Sequence, residues 1–206
     1  MLNSMPPMLV CCLDLEGVLI PEIWIEVARR FKSDELKLTT RDIPDYDRLM
    51  KYRIGILKKK NIRLKDIQKV IAGMNPLPGA KAFLTALRAQ ATVIILSDTF
   101  YEFAGPLMKK LGQPVLFCNW LKTGRSGFIS GYQLRQKDGK TKAVKALKSI
   151  GFRVHAAGDS YNDLGMLKAA GRGILFNPPL AIKNKFKRFP AVTQYAQLLR
   201  LLTASQ

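Results

Sequence analysis

Three polar clusters stand at the ends of apolar runs, and together they have the composition of a phosphoryl-handling site. Asp14 and Glu16 are separated by one residue and followed at once by Gly17; Ser97, Asp98 and Thr99 are contiguous; Asp159, Asn162 and Asp163 form the third cluster. Grouped carboxylates hold a small hard cation, and Mg2+ in particular keeps waters and works beside phosphate oxygens. Hydroxyls and free backbone N–H groups cradle the remaining oxygens, and a glycine lets the backbone approach an anion. Lys140 opens a helical stretch ahead of the third cluster, in line with Ala143, Val144 and Leu147, where an ammonium would act as a point donor. Any one acidic turn serves equally to cap the next helix. The recurrence at three strand ends is what points to phosphoryl chemistry.

Other chemistries fit less well. There is no Gly-rich Walker sequence, so this is not a P-loop nucleoside triphosphatase. His155, the single histidine, sits mid-strand and reads as a core residue rather than a base. Cys11 and Cys12 precede the first polar turn, inside an apolar run, and read as buried thiols rather than nucleophiles.

The elements that must position these groups follow from periodicity. Residues 8–13 are apolar without alternation, as in a strand buried on both faces of a parallel sheet. In such sheets ligands gather at the carboxyl ends of the strands. Strands over 92–96, 115–118, 153–157 and 173–176 alternate with helices over 80–90, 102–111, 140–150 and 164–170, and two further helices close the chain. That rhythm predicts an α/β fold, a Rossmann-like parallel sheet with right-handed crossovers. Residues 121–134, with three glycines, read as a β-hairpin or a loose excursion.

Between the first and second strands lie three helical stretches and no strand: 22–31, 46–59 and 64–73. A polar link over 39–45 separates the first two, and Pro76-Leu77-Pro78-Gly79 ends the set with strong breakers. The pattern predicts a core of residues 1–20 plus 76–206 and a small helical cap over 21–75. Arg53 falls on the inward stripe of the second helix beside Leu49 and Met50. A cation on an apolar face needs a partner, and an anionic substrate or a structural carboxylate would each serve.

Composition narrows the class. Of 206 residues, 48% are hydrophobic, enough for one generous core and too many for a disordered chain. No apolar run approaches the ~20 residues that span a bilayer, and residues 1–7 lack the features of a secretion signal. Three cysteines make no disulfide framework, so a reduced, cytoplasmic setting is expected. The formal charge of +19 comes from 34 Lys and Arg against 15 Asp and Glu. The basic residues are spread out, with no Arg-rich arm and no interleaved aromatics. No specific nucleic acid and no membrane partner is therefore expected, only salt-sensitive adhesion and attraction of anionic substrates.

The order acid-x-acid-Gly, Ser-Asp-Thr, Lys, then Gly-Asp-x-x-x-Asp resembles the haloacid dehalogenase superfamily of phosphatases. The helical insert between the first two motifs, with the stretches 14–24, 39–50, 97–103 and 131–138, is similar to its phosphoserine phosphatase/homoserine phosphotransferase family. The resemblance runs from about residue 8 to residue 195. It implies that Asp14 is the nucleophile and forms an aspartyl phosphate, and that Glu16 is the general acid and then the base. It implies Mg2+ on Asp14, Glu16 and Asp159 with Asp163 in support, and phosphoryl binding by Ser97, Asp98, Lys140 and Asn162. Glu22 and Arg53 match positions that hold the amino and carboxylate groups of phosphoserine.

The sequence departs from the broad superfamily at Glu16, where aspartate is usual, and at Val18, where many relatives have threonine. The implied activity is phosphoserine hydrolysis on a small phosphorylated amino acid, with transfer to homoserine as a second outlet. Another small phosphomonoester is the first alternative, and a non-enzymatic nucleic-acid-binding protein on this fold is the second. The sequence leaves a homodimer open.

Overall fold

A computed structural model describes residues 7–39, 42–43 and 45–204. The first six residues of the expected core, and part of the 39–45 link including Pro44, lie outside the described residues. Seven strands form one sheet: β1 (Leu9–Leu13), β2 (Thr92–Phe100), β3 (Val115–Thr123), β4 (Ile129–Gln133), β5 (Arg153–Gly158), β6 (Arg172–Phe176) and β7 (Ala191–Val192). Their order is β4-β3-β2-β1-β5-β6-β7, and every neighbouring pair is parallel except β3 with β4.

The chain runs outward from β1 through β2 to β3, then returns to the other side of β1 with β5. The strand order therefore reverses at β1, and the crevice at its carboxyl end is where open α/β sheets bind ligands. The unalternated apolar run is explained by the packing. Cys11 and Leu13 enter one core layer, Val10 and Cys12 the other, and all four are essentially inaccessible to solvent. Helices α4 (Ala80–Arg88), α5 (Tyr101–Lys110) and α9 (Tyr195–Thr203) cover the first face. Helices α6 (Gly139–Ser149), α7 (Leu164–Ala169) and α8 (Leu180–Lys185) cover the second.

Between β1 and β2 the chain makes α1 (Ile23–Arg30), a 3-10 turn at Asp34–Lys37, α2 (Tyr46–Lys59) and α3 (Leu64–Gly73). Asp45 caps α2 by accepting the Arg48 N–H at 3.0 Å, which satisfies one of the donors a helix start leaves open. Ile23, Trp24, Val27, Met50 and Ile67 are buried against the core layer that holds Phe100 and Phe103.

The structure extends the periodicity reading at two places, β2 and β7, and bears out the hairpin alternative at a third. β2 continues beyond Leu96 to Phe100, with a register shift that sets four steps of β2 against two of β3. Such an irregularity re-aims side chains, and here it carries Ser97, Asp98 and Thr99. The excursion at 121–134 is a true hairpin, because β3 runs on to Thr123 and pairs antiparallel with β4. β7 was not expected; two residues carry no readable alternation.

His155 lies fully buried on β5 with Nδ1 2.6 Å from the Leu202 carbonyl, so it ties α9 to the sheet as a core residue. Cys11, Cys12 and Cys118 are free and buried, and burial pushes each thiol up to about 12, which keeps them un-nucleophilic. Among the described residues no helix is long and apolar enough to cross a membrane.

Candidate active site

The three polar clusters meet at the carboxyl end of β1. Lys140, at the start of α6, places its ammonium 2.8 Å from Oδ1 of Asp14, 2.8 Å from Oδ1 of Asp163 and 3.8 Å from Oδ2 of Asp98. Its own side chain is buried. The Leu15 N–H also donates to Oδ1 of Asp14 at 2.7 Å, so both contacts fall on one oxygen and Oδ2 takes neither. Asp163 is more heavily committed. Its Oδ2 accepts from the N–H groups of Asp159 and Ser160 and from the Ser160 hydroxyl, each at 3.0 Å. Asp163 thereby holds the turn that presents Asp159 and Asn162.

Burial sets the electrostatics, modified by a shortage of positive charge. Burial, then Asp163 and Asp159, drive the Asp14 carboxyl well above its usual range against the pull of Lys140. Asp159 is pushed up to about 7, chiefly by burial and then by Asp163. For Asp163 burial also acts upward, but Lys140 and the hydrogen bonds from Ser160 outweigh it and hold this carboxyl low. On Lys140 burial acts downward and is overcome by the surrounding carboxylates, so the ammonium is firmly charged.

One carboxylate oxygen from each of Asp14, Asp159 and Asp163 lies within 4.8 Å of the others. Three carboxylates share one ammonium, and two of them resist ionisation. An all-oxygen, under-neutralised set of that size fits a hard divalent cation such as Mg2+.

Glu16 faces elsewhere. Its Oε2 accepts the backbone N–H of Ile23, the first residue of α1, at 2.8 Å. The Glu16 carboxylate thus reaches the insert rather than the side-chain group of Asp14, Asp159 and Asp163. Burial raises its pKa, Glu22 adds to that, and the Ile23 N–H, Arg53 and Thr99 oppose it. Gly17 explains the tight turn beside it. Its φ is +76°, and a Cβ there would lie 2.4 Å from Oδ2 of Asp159.

Ser97 accepts the Thr99 N–H at 3.2 Å, which leaves its hydroxyl proton to donate into the cavity it lines. The Asp98 carbonyl accepts from Asn119 Nδ2 at 3.1 Å and from the Tyr46 hydroxyl at 3.2 Å. A core residue and an insert residue thus both grip this turn. Asn119 in turn accepts the Arg135 N–H, and the Arg135 guanidinium reaches the Gly139 carbonyl just before Lys140.

The cavity, of about 150 Å³, is lined by Asp14, Glu16, Ser97, Lys140, Asp159 and Asn162 from the core and by Glu22, Trp24, Tyr46 and Arg53 from the insert. Every residue expected at the site from the sequence lines it except Asp163, which lies fully buried behind the 159–160 turn. Of the two partners foreseen for Arg53, the structural carboxylate is not found among the described residues. The Arg53 Nη2 donates to the Leu38 carbonyl at 2.7 Å, its guanidinium lies 4.5 Å from the Trp24 ring centroid, and its buried Nε has no hydrogen-bond partner.

The model of the haloacid dehalogenase-like hydrolase family matches residues 8–171. The chain belongs to that family. Among its relatives, "Phosphoserine phosphatase ThrH" of Pseudomonas aeruginosa is 55% identical over 191 residues, 93% of either chain. "Phosphoserine phosphatase" of Pseudomonas syringae pv. tomato is 52% identical over 189 residues, 92% of this chain and 80% of that one. Among solved structures, "Phospho-Aspartyl Intermediate Analogue of Phosphoserine phosphatase" superposes with a TM-score of 0.78 at 21% identity, covering 95% of this chain and 99% of that one. At that identity the likeness speaks for the fold alone. The hydrolase fold thus accounts for the meeting of the three clusters at one sheet edge.

Sequence reasoning passed over Tyr46 and Asn119. Tyr46 was visible only as an apolar stripe residue; its hydroxyl finds Asp98 across 52 positions of chain. Asn119 had no signal, being one amide in a strand.

Proposed function

We propose that this hydrolase is a Mg2+-dependent phosphatase that cleaves O-phospho-L-serine through an aspartyl phosphate on Asp14. The observation that carries the reading is the composition of one small cavity: Asp14, Lys140 and Ser97 line it together with Arg53 and Glu22. Phosphoserine has a phosphoryl group at one end and an ammonium and a carboxylate at the other. Arg53 offers a guanidinium fork to the carboxylate, and Glu22 offers a counter-charge to the ammonium. The two relatives above 50% identity carry names for the same substrate.

In the first step the free oxygen of Asp14 attacks phosphorus, and the bond from phosphorus to the serine oxygen breaks. Glu16 gives its proton to the departing alkoxide, a role suited to a carboxyl whose pKa is raised by burial. Lys140 and the Ser97 hydroxyl hold the non-bridging oxygens while charge shifts among them. In the second step Glu16 takes a proton from water, the water oxygen attacks phosphorus, and the Asp14 carboxylate leaves. Mg2+ would be held by Asp14 and Asp159, with position 16 beside them and Asp163 in support, and would supply charge neutralisation at the phosphoryl oxygens. Residues 21–75 act as the cap that brings Arg53 and Glu22 over the core.

The same intermediate would pass its phosphoryl group to homoserine, whose amino and carboxylate groups offer the same handles and whose hydroxyl replaces water. The test is phosphate release from a panel of phosphomonoesters with Mg2+, with and without homoserine. Preference for phosphoserine, and phosphohomoserine formation when homoserine is added, would support both parts. A preference for phosphosugars would overturn the substrate and leave the chemistry.

A further inference from the structure

From Gly139 to Gln206 the chain contains only two acidic residues, Asp159 and Asp163, and both belong to the site. The second face of the sheet is built from this stretch. Its helices bury Ala143, Val144, Leu167 and Ile182 and turn Lys142, Lys145, Lys168 and Lys183 to solvent, and the turn after α8 exposes Lys187 and Arg188. Among the described residues none of these six enters an ion pair. Apart from Asp138, the exposed N-cap residue at the start of α6, the exposed charge of this helical layer is therefore of one sign, and much of the +19 net charge is concentrated there.

From this one-signed layer we infer that the α6–α7–α8 face binds the backbone of single-stranded nucleic acid without regard to sequence. A single small phosphate substrate needs no field this broad; a polyanion does, because each neutralised phosphate releases a counterion. Where this face meets the rim of the cavity it also offers a ring, Tyr161, which lines that cavity. Tyr161, 43% exposed, packs edge-on against Phe186 with their centroids 5.9 Å apart, and the Lys185 ammonium lies 5.7 Å from the Tyr161 centroid. An exposed ring beside cations is the element on which an unpaired base stacks.

An anionic membrane fits less well. The large apolar side chains left open near this layer are Ile150 and Leu180. Ile150 precedes β5 and Leu180 follows β6, so they stand at opposite edges of the sheet and form no common anchor. The inference is independent of which phosphomonoester the site hydrolyses.

The test is fluorescence anisotropy of a labelled mixed-sequence single-stranded RNA titrated with the full chain at several salt concentrations. If about four phosphates are engaged, a four-fold rise in salt weakens binding about fifty-fold. The variant K142E/K145E/K168E should lose at least about ten-fold in affinity and show a shallower salt slope. A control variant, K81E/K109E/K122E, makes the same charge change on exposed lysines outside this face and should lose much less. Circular dichroism melts establish that both variants are folded. Equal loss in the two folded variants would overturn the assignment to this face. Absence of saturable RNA binding at low salt, or binding to phosphatidylglycerol vesicles in place of RNA, would overturn the inference itself.

Discussion

The Glu16 carboxylate accepts the backbone N–H of Ile23 at 2.8 Å, so the acid two residues beyond Asp14 is held by the first residue of the inserted helices. That contact gives a reason for glutamate where the superfamily usually has aspartate. The Glu16 side chain spans from the β1 turn to the start of α1 while lining the cavity, and aspartate is one methylene shorter. Shortening it by one carbon sacrifices that anchor, and displacements of about 1 Å can cost about a hundred-fold in rate.

Glu16→Gln should therefore lower phosphoserine turnover by about 10²- to 10⁴-fold, the usual contribution of a positioned acid–base group. An aryl phosphate, whose leaving group needs no proton, should still phosphorylate the variant and give a burst followed by slow hydrolysis. Stopped-flow absorbance checks this. Equal loss on both substrates without a burst would assign Glu16 a structural role only.

Gly17→Ala should be damaging for two separate reasons. The backbone there has φ +76°, and the added methyl would meet Oδ2 of Asp159 at 2.4 Å. Left-handed backbone and forced movement together should cost about 1–3 kcal/mol, read as a lowered melting temperature. Mg2+ affinity should fall as well, because Asp159 must move. A variant with unchanged stability and unchanged Mg2+ dependence would contradict the geometry of this turn.

Arg53→Ala should raise KM for phosphoserine by about 10- to 150-fold, the equivalent of about 1.5–3 kcal/mol for hydrogen bonds to a charged group. KM for an aryl phosphate lacking a carboxylate should change little. Arg53→Lys should recover only part of the loss, since the fork is replaced by a point charge. Parallel losses on both substrates would show that Arg53 serves the fold through Leu38 and Trp24 rather than the substrate.

The pH dependence of stability has a contributor outside the site. Burial lowers the pKa of His155 below its ordinary 6.5, with Arg172 and Arg153 adding to that effect and the Leu202 carbonyl opposing it. Below pH 6.5 the unfolded chain binds this proton more readily than the folded one. Stability is thus fully present above 6.5 and is lost as pH falls toward the depressed folded value. His155→Gln should flatten that part of the melting-temperature profile between pH 7 and pH 5. An unchanged profile would remove His155 from the account.

The α/β order, the insert and the carboxyl-edge site were legible because each rests on a local signal: unalternated apolar β1, breakers at 76–79, and acids at strand ends. What was not legible depends on contacts far apart in sequence. Tyr46 and Asn119 converge on the Asp98 carbonyl from 52 and 21 residues away, and no local pattern encodes such a meeting. Arg53 shows the same limit. Its inward position was readable, but its partners, Leu38 and Trp24, emerged only once α2 met the end of the 3-10 turn and the Trp24 ring. Glu16 was recognised by type, yet the direction of its carboxylate depended on where α1 begins.

The central claim is that Asp14 carries the phosphoryl group. The direct measurement is acid-quenched mass spectrometry of the wild-type chain mixed with phosphoserine and Mg2+, beside Asp14→Asn. The account predicts a phosphoryl adduct on the peptide containing Asp14, labile to hydroxylamine, with both adduct and turnover absent in the variant. Sustained turnover in Asp14→Asn, or an adduct on a different residue, would contradict it.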